Sequence, residues 1–199
     1  MGVLILAAAY LLGAIPFGYL FVRLSKGGDV RMEGSGNIGA TNVLRTQGKA
    51  LGILTFVVDG GKGAAAVYLA QRLMGDSPWP ALAAAAAMLG HAYPVFLGFR
   101  GGKSVATGAG AFALLHPAAL AVALAVFALA VALTRYVSVG SLSAACALVA
   151  ATYIWRPASS PSVLHVALFA CVLIFMRHHE NIRRLFQGGE TKITVGRAP

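Results

Sequence analysis

The stretch VATGAGAFALL, residues 105–115, decides the topology of this 199-residue chain. It is apolar and lies between the polar sequences FRGGKS (99–104) and HP (116–117). An α-helix rises about 1.5 Å per residue, so these residues reach only about 16 Å, roughly half the thickness of a bilayer core. We interpret the stretch as a half-span or a short, tilted helix, and the side on which the chain ends depends on whether it crosses.

The composition places the chain in a membrane. Hydrophobic residues make up 58% of it and charged residues only 11%, and the mean hydropathy is +0.77, values outside the range of soluble domains. The formal net charge is +10, which in a soluble protein would suggest nucleic acid. In a membrane protein such charge is typical of cytoplasmic loops, of contacts with anionic headgroups, or of sites for anionic substrates. We therefore expect a lipid bilayer and no nucleic acid as partner.

Longer apolar stretches can each cross a bilayer, which needs about 20 helical residues. They cover residues 3–22, 50–71, 79–99, 117–134, 137–155 and 159–176. The first lacks a basic segment before it and is too long for the apolar part of a signal peptide, so we expect a retained span. Residues 1–199 are predicted to form a single membrane-embedded domain.

The distribution of basic residues indicates that the short stretch 105–115 crosses. With seven crossings, one side collects thirteen cations: Arg23, Lys26, Arg31, Arg45, Lys49, Arg100, Lys103, Arg135, Arg177, Arg183, Arg184, Lys192 and Arg197. The other side collects only Arg72 and Arg156. By the positive-inside rule the N-terminus is outside and the C-terminus cytoplasmic. The prediction is an all-α integral membrane protein, a compact bundle of about seven transmembrane helices that includes one short half-span.

With this topology the polar, glycine-rich stretches all fall on the cytoplasmic face. The first, GSGNIGATN (34–42), has glycines that leave backbone N–H groups accessible, and such arrays bind anions. Its polar side chains are Ser35, Asn37, Thr41 and Asn42, and Arg45 follows with a guanidinium suited to phosphate. The alternative is a polar interfacial loop with helix-capping residues.

Two further stretches repeat the theme. In GGKSVATGAG (101–110), Lys103 stands just before a predicted helix start, where N–H groups and the helix dipole favour phosphate. The alternative is a glycine-rich turn with a snorkelling lysine, and the Walker A pattern is absent. In RHHENIRRL (177–185), helical spacing puts His178 and Asn181 on one face. The alternative of a headgroup-binding helix end is favoured for Arg183 and Arg184.

Some polar residues lie inside the apolar stretches. Asp59 and Lys62 are spaced i, i+3 within the second span, and we favour a structural ion pair in a seam of small residues. His91 is expected to be a buried, hydrogen-bonded histidine. Cys146 and Cys171 are interpreted as small buried hydrophobes rather than as metal ligands or a disulfide. We expect no cofactor and no metal ion.

Taken together, GSGNIGATNVLR (34–45), GHAYPVFLGFRGGKSVAT (90–107) and HHENIRRLFQGGETK (178–192) closely resemble the signature segments of the bacterial acyl-phosphate:glycerol-3-phosphate acyltransferase family. The resemblance implies an enzyme of the cytoplasmic membrane, with its site facing the cytoplasm. Such an enzyme transfers a fatty acyl group from acyl phosphate to the 1-hydroxyl of sn-glycerol 3-phosphate and gives lysophosphatidic acid and phosphate, the first step of bacterial phospholipid synthesis. Its implied partners are these two substrates, the bilayer and the peripheral enzyme that makes acyl phosphate.

The resemblance also implies site residues. Those expected to act in catalysis are Ser35, Asn37, Arg45, Lys103, His178 and Asn181. Those expected to bind substrate or phosphate are Gly36, Thr41, Asn42, Gly101, Gly102, Thr107, Ser138 and Ser141. In this interpretation the second segment anchors the donor phosphate, and the third orients glycerol phosphate. The tail GGETKITVGRAP (188–199) is expected to be exposed and mobile.

An HxxxxD dyad, common in acyltransferases that use acyl-CoA, is absent from the chain. The resemblance implies instead that a phosphoryl oxygen of the donor takes the proton of the attacking hydroxyl, while the protein positions the substrates and stabilises charge. A transporter or exchanger of a phosphorylated anion is the alternative, because glycine-rich loops and half-spans also occur there.

Overall fold

The computed structural model describes residues 1–75, 77–155 and 162–193, and within these ranges every regular element is a helix. The α-helices are α1 (Gly2–Ala14), α2 (Phe17–Lys26), α3 (Ala40–Gln47), α4 (Lys49–Met74), α5 (Trp79–Ala92), α6 (Val105–Leu115), α7 (Pro117–Thr134), α8 (Val137–Ile154), α9 (Ser162–Arg177) and α10 (His179–Phe186). Short 3₁₀ helices occupy Val30–Met32 and Val95–Leu97. The all-α prediction is confirmed.

Five segments are long and apolar enough to cross a membrane, and α9 with α10 forms a sixth that bends by 56°. Helix α6 is the short apolar helix expected at 105–115, with 11 residues. The total of seven crossings and the side of each terminus stay predictions. Arg156, Arg197 and the first residues of the stretch 159–176 lie outside the described residues.

The first span is broken where the sequence predicted one helix over 3–22. Helix α1 ends before Ile15, which is extended (φ −62°, ψ 117°), because the following Pro16 disfavours the helical conformation. The break frees the carbonyl of Ile15, and the ammonium of Lys62 donates to it at 2.9 Å. Lys62 also pairs with Asp59 at 2.9 Å. The predicted ion pair is present, and it also satisfies the broken helix.

Small residues allow the helices around the site to approach closely. A Cβ on Gly63 of α4 would collide with the carbonyl of Thr107 in α6, and one on Gly110 of α6 would collide with Gly60. The same holds between α1 and α5, where a Cβ on Gly90 would collide with the carbonyl of Tyr10. These contacts confirm the predicted small-residue seam and fix α6 against α4.

One predicted burial is wrong. Cys146 of α8 is exposed, while Cys171 of α9, whose thiol it contacts, is half-buried, and both are free thiols. The apolar surroundings of Cys146 in the sequence predicted burial, but in a membrane protein the outer faces of the helices are apolar as well.

Candidate active site

One pocket of about 170 Å³ gathers the predicted polar stretches at a single end of the bundle. Its lining comes from the loop before α3, from α3 itself, the start of α6, the start of α8, and the junction of α9 and α10. The predicted site residues in the lining are Ser35, Asn37, Thr41, Asn42, Arg45, Lys103, Ser138, Ser141, His178 and Asn181. Four loops that are distant in sequence therefore form one site.

Asn42 organises the first loop. It is buried, and its side-chain oxygen Oδ1 accepts from the backbone N–H of Ser35 at 2.8 Å. Its side-chain nitrogen Nδ2 lies 3.2 Å from the backbone carbonyl oxygen of Val30, 3.0 Å from that of Glu33 and 2.9 Å from that of Asn37. Because these bonds occupy its polar atoms, Asn42 shapes the loop rather than offering a free donor to phosphate.

The loop leads into an anion-binding geometry at α3. Asn37 accepts from the N–H of Gly39 at 2.9 Å, and α3 begins directly afterwards, with Ala40 and Thr41 in the pocket lining. The first N–H groups of a helix have no partner within the helix and carry the positive end of its dipole. One turn later stands Arg45, an exposed residue in the pocket lining. Within the described residues its guanidinium makes no hydrogen bond or ion pair, so it is available to an anion.

A second helix start faces the same pocket. Helix α6 begins at Val105, and Ser104, Val105 and Ala106 all line the pocket. Ser104 is held in the left-handed conformation (φ 60°) by a hydrogen bond from its hydroxyl to the carbonyl of Met88 at 2.7 Å. The predicted helix start after Lys103 is confirmed, and a phosphate here would meet free N–H groups.

Lys103 supplies the cation at this helix start. Its ammonium hydrogen-bonds the side-chain oxygen of Asn181. Burial lowers the pKa of Lys103 to about 8; the carboxylate of Glu190 opposes this shift, and nearby guanidinium groups add to it. An ammonium that is partly desolvated attracts an anion more strongly than one in water.

The third motif enters at the bend between α9 and α10. His178 occupies the bend and Asn181 lies one turn later; both are buried and line the pocket, as their spacing predicted. The Nδ1 of His178 lies 2.8 Å from the carbonyl of Ile174. In a neutral ring this contact assigns the proton to Nδ1 and leaves Nε2 as an acceptor.

Glu190 is a pocket residue that the sequence did not reveal. Its carboxylate accepts from Ser138 at 2.8 Å, from Asn181 at 2.6 Å and from Arg184 at 2.8 Å, and its side chain is only 8% exposed. Burial raises its pKa, but these hydrogen bonds outweigh burial and hold the pKa below the ordinary value. The expectation of an exposed, mobile tail is wrong at this residue, because the surrounding cations need a counter-charge. Residues 194–199 of the tail lie outside the described residues.

Four predicted site residues do not line the pocket, namely Gly36, Gly101, Gly102 and Thr107. Gly36 forms a turn with positive φ (69°). Thr107 is buried where α6 meets α4. Gly101 and Gly102 pack directly on His91. These residues therefore pack around the elements that form the pocket and do not line it.

The floor of the pocket contains two intramembrane residues. Asp59 and His91 both line it, with His91 Nδ1 at 3.7 Å from Asp59 Oδ1. His91 is buried as predicted, but its Nδ1 makes no hydrogen bond within the described part of the chain. Their proximity depends on the packing of α4 against α5, which sequence spacing does not specify.

A small, open apolar pocket of about 60 Å³ adjoins the polar one. It lies among α5, α6, α7, α8 and α9, and it shares Val105, Phe127 and Ser141 with the polar pocket. Its wall includes Met88, Leu120 and Leu148. A ligand with a phosphate at one end and a hydrocarbon chain at the other fits this combination.

Comparison with known proteins agrees with this geometry. A family model described as glycerol-3-phosphate acyltransferase matches residues 3–188. A glycerol-3-phosphate acyltransferase of Anaeromyxobacter dehalogenans is 48% identical over 97% of this chain and 98% of its own, and one of Syntrophotalea carbinolica is 48% identical over 95% and 96%.

Two solved structures of PlsY (YgiH), an integral membrane glycerol 3-phosphate acyltransferase, share the fold. The glycerol 3-phosphate form has a TM-score of 0.91 at 38% identity and covers 97% of this chain and 96% of that one. The lysophosphatidic acid form has a TM-score of 0.88 at 36% identity and covers 97% and 95%. The chain therefore belongs to the glycerol-3-phosphate acyltransferase family and is an integral membrane acyltransferase with several apolar helices.

Proposed function

We propose that the protein transfers a fatty acyl group from acyl phosphate to the 1-hydroxyl of sn-glycerol 3-phosphate, giving lysophosphatidic acid and inorganic phosphate. The observation that carries this proposal is the junction of the two pockets. The polar pocket contains the N-termini of α3 and α6 and the two cations Arg45 and Lys103. It continues into the apolar pocket at Phe127. Two phosphates and one acyl chain match these features.

The donor assignment follows from the chemistry of the leaving group. In acyl phosphate the acyl carbon is already activated by its bond to a phosphate oxygen. The glycerol hydroxyl oxygen forms a bond to that carbon, the bond from carbon to the phosphate oxygen breaks, and the hydroxyl proton passes to the phosphate. Such a step needs positioning and charge stabilisation more than a strong protein base.

Each phosphate is assigned its own part of the pocket. The N-terminus of α6 and Lys103 bind the donor phosphate, whose negative charge grows as the bond to carbon breaks. Arg45 and the N-terminus of α3 bind phosphate and stabilise the developing negative charge. His178, with Nε2 as an acceptor, and Asn181 orient glycerol 3-phosphate. Ser138 and Ser141 complete the wall between the two substrates.

The acyl chain occupies the apolar pocket, which the bilayer can supply with a lipid-soluble donor. We place the enzyme in the cytoplasmic membrane with the polar pocket facing the cytoplasm, where a peripheral enzyme delivers acyl phosphate. The basic residues grouped on that side by the predicted topology support this orientation. The transporter alternative loses its support because the acyltransferase family match spans almost the whole chain.

The donor is tested by product analysis with two donors. Purified protein is incubated with glycerol 3-phosphate and either palmitoyl phosphate or palmitoyl-CoA, and the lipids are analysed by mass spectrometry. We expect 1-palmitoyl lysophosphatidic acid with palmitoyl phosphate. Product formed from palmitoyl-CoA and none from palmitoyl phosphate would refute the donor assignment while leaving the family unchanged.

A further inference from the structure

The loop that presents Lys103, residues 98–104, has a strained backbone. Gly98 has a φ of 59°, and the non-glycine residues Phe99 and Ser104 have φ values of 63° and 60°. A left-handed conformation costs a non-glycine residue about 1–3 kcal/mol and persists only where neighbouring groups hold it. The loop therefore needs ties to neighbouring elements.

Arg177 provides two of these ties. Its Nε donates to the carbonyl of Gly102 at 3.0 Å, and its Nη2 donates to the carbonyl of Gly101 at 2.9 Å. The guanidinium lies over the ring of Tyr93 at 5.1 Å, and the carbonyl of Tyr93 accepts from the hydroxyl of Tyr10 at 2.7 Å. The Nε and Nη2 donors of the guanidinium thus bind the carbonyls of two adjacent residues, a geometry that the single ammonium of a lysine does not reproduce.

His91 holds the loop from the other side. The N–H of Gly102 donates to the carbonyl of His91 at 2.9 Å. A Cβ on Gly101 would collide with that carbonyl, and a Cβ on Gly102 would collide with the imidazole ring. The two glycines therefore lie between His91 and Arg177, and their lack of side chains serves this contact rather than a contact with substrate.

From this geometry we propose that Arg177 is a positioning residue for acyl transfer. Arg177 does not line the pocket, so it acts through the loop. By fixing the carbonyls of Gly101 and Gly102, it sets the direction in which Lys103 and the first N–H groups of α6 face the substrate. The inference rests on the proposed function, since that function assigns Lys103 and α6 to a phosphate.

The test compares Arg177→Lys with Arg183→Lys. Both keep the charge, but Arg183 is exposed, and within the described residues its partner is Glu180 of the same helix, at 2.7 Å. Turnover number and KM are measured for palmitoyl phosphate and for glycerol 3-phosphate, together with thermal unfolding in detergent. We expect R177K to lower kcat/KM at least tenfold for one of the two substrates, with R183K within twofold of the wild type.

A second measurement separates positioning from folding. Unfolding temperatures of R177K and R183K within a few degrees of each other, combined with the loss of kcat/KM in R177K alone, support positioning. Kinetic constants of folded R177K equal to those of the wild type overturn the inference. If R177K is recovered only as aggregate, Tyr93→Leu decides. This change removes the ring under the guanidinium, and a kcat/KM at least twofold below the wild type supports the inference, whereas an unchanged kcat/KM overturns it.

The outcome is distinguishable from failure of the proposed function. A wild type that makes no lysophosphatidic acid from palmitoyl phosphate refutes the proposed function itself. A wild type that does so, together with a fully active R177K, refutes only the role of Arg177.

Discussion

Arg45 and Lys103 both line the pocket, but the protein holds them differently. Lys103 is partly desolvated and tied to Asn181. Arg45 is exposed and has no hydrogen-bond or ion-pair partner among the described residues. The ammonium of Lys103, with its pKa lowered to about 8, loses its charge at moderately alkaline pH, whereas the guanidinium of Arg45 makes no hydrogen bond or ion pair that its removal would break among the described residues. The two cations are therefore expected to leave different signatures in kinetics.

For Lys103 the signature is a pH dependence. Because its pKa is lowered to about 8, the fraction that is ammonium falls as pH rises through that value. The phosphate of glycerol 3-phosphate is already a dianion there, since its second pKa is about 6. We expect kcat/KM to be level up to about pH 7, to fall to roughly half of that level near pH 8, and to decrease steadily at higher pH. The profile of Lys103→Arg, measured alongside, should lack this decrease; a wild-type profile that stays level to pH 9.5 would contradict the assignment.

For Arg45 the signature is a loss of activity without a loss of stability. Arg45→Ala removes a guanidinium from the pocket but no contact within the described protein, so we expect turnover to fall about 100-fold or more with an unchanged unfolding temperature. Lys49→Ala, an exposed cation at the start of α4, is the matched control and should keep full turnover. Equal turnover in R45A and K49A would remove Arg45 from the site.

Asn42 should show the opposite behaviour. Asn42→Ala leaves the carbonyls of Val30, Glu33 and Asn37 and the N–H of Ser35 without this partner, and a buried group that loses its partner costs about 1–3 kcal/mol. We expect a clearly lower unfolding temperature in detergent, together with lost activity because the loop loosens. An unfolding temperature equal to that of the wild type would show that the side chain does not organise the loop.

Site residues whose position follows from local helix geometry could be predicted from the sequence. His178 and Asn181 were paired because one helical turn separates them. Glu190 was missed because it follows two glycines and belongs to no periodic pattern. The family resemblance implied that Gly101 and Gly102 bind substrate. In the structure both glycines pack against His91, a contact between distant residues that sequence spacing does not specify.

At the level of elements, the position of α6 depends on its seam with α4. Hydropathy located α6 at 105–115 correctly, because an apolar run between polar loops is a local feature. It did not predict the break at Pro16 or the 56° bend after Arg177, since hydropathy averaged over a window does not register a single turn. These bends bring the loops together, so the pocket follows from features finer than the spans.

The seam predicts contrasting effects of two glycine substitutions in α4. A Cβ on Gly63 meets the backbone of Thr107, whereas a Cβ on Gly61 meets nothing within 4 Å. Gly63→Ala should therefore push α6 away and destabilise the protein by about 1–3 kcal/mol, with a loss of turnover. Gly61→Ala should be neutral or slightly stabilising, because alanine favours helix. Thermal unfolding of the two variants checks this, and equal values would contradict the described packing.

For the whole molecule, the fold places every polar loop of the site at one end of the bundle, and the positive-inside rule predicts that this end faces the cytoplasm. The number of crossings and their orientation stay predictions from the charge distribution. The overall class, an all-α integral membrane protein, could be derived from composition, because the bilayer imposes it. The substrate pair could not, since no physical rule leads from a phosphate pocket to a particular pair of phosphates. That step needed the resemblance to a family.

The predicted orientation is tested with sealed vesicles. Glycerol 3-phosphate is charged and does not cross a bilayer unaided, so it reaches only the outward-facing side. We expect inside-out membrane vesicles containing the protein to use added glycerol 3-phosphate, and right-side-out vesicles to do so only after permeabilisation. Activity in intact right-side-out vesicles alone would place the pocket on the opposite face.

The central claim is that one pocket binds both phosphorylated substrates at the same time. Release of inorganic phosphate from palmitoyl phosphate by the purified protein, followed as glycerol 3-phosphate is added, tests it most directly. We predict no release above background without glycerol 3-phosphate, and a rate that rises and saturates with its concentration. Phosphate release at the same rate with and without glycerol 3-phosphate would show a hydrolase and contradict the shared pocket.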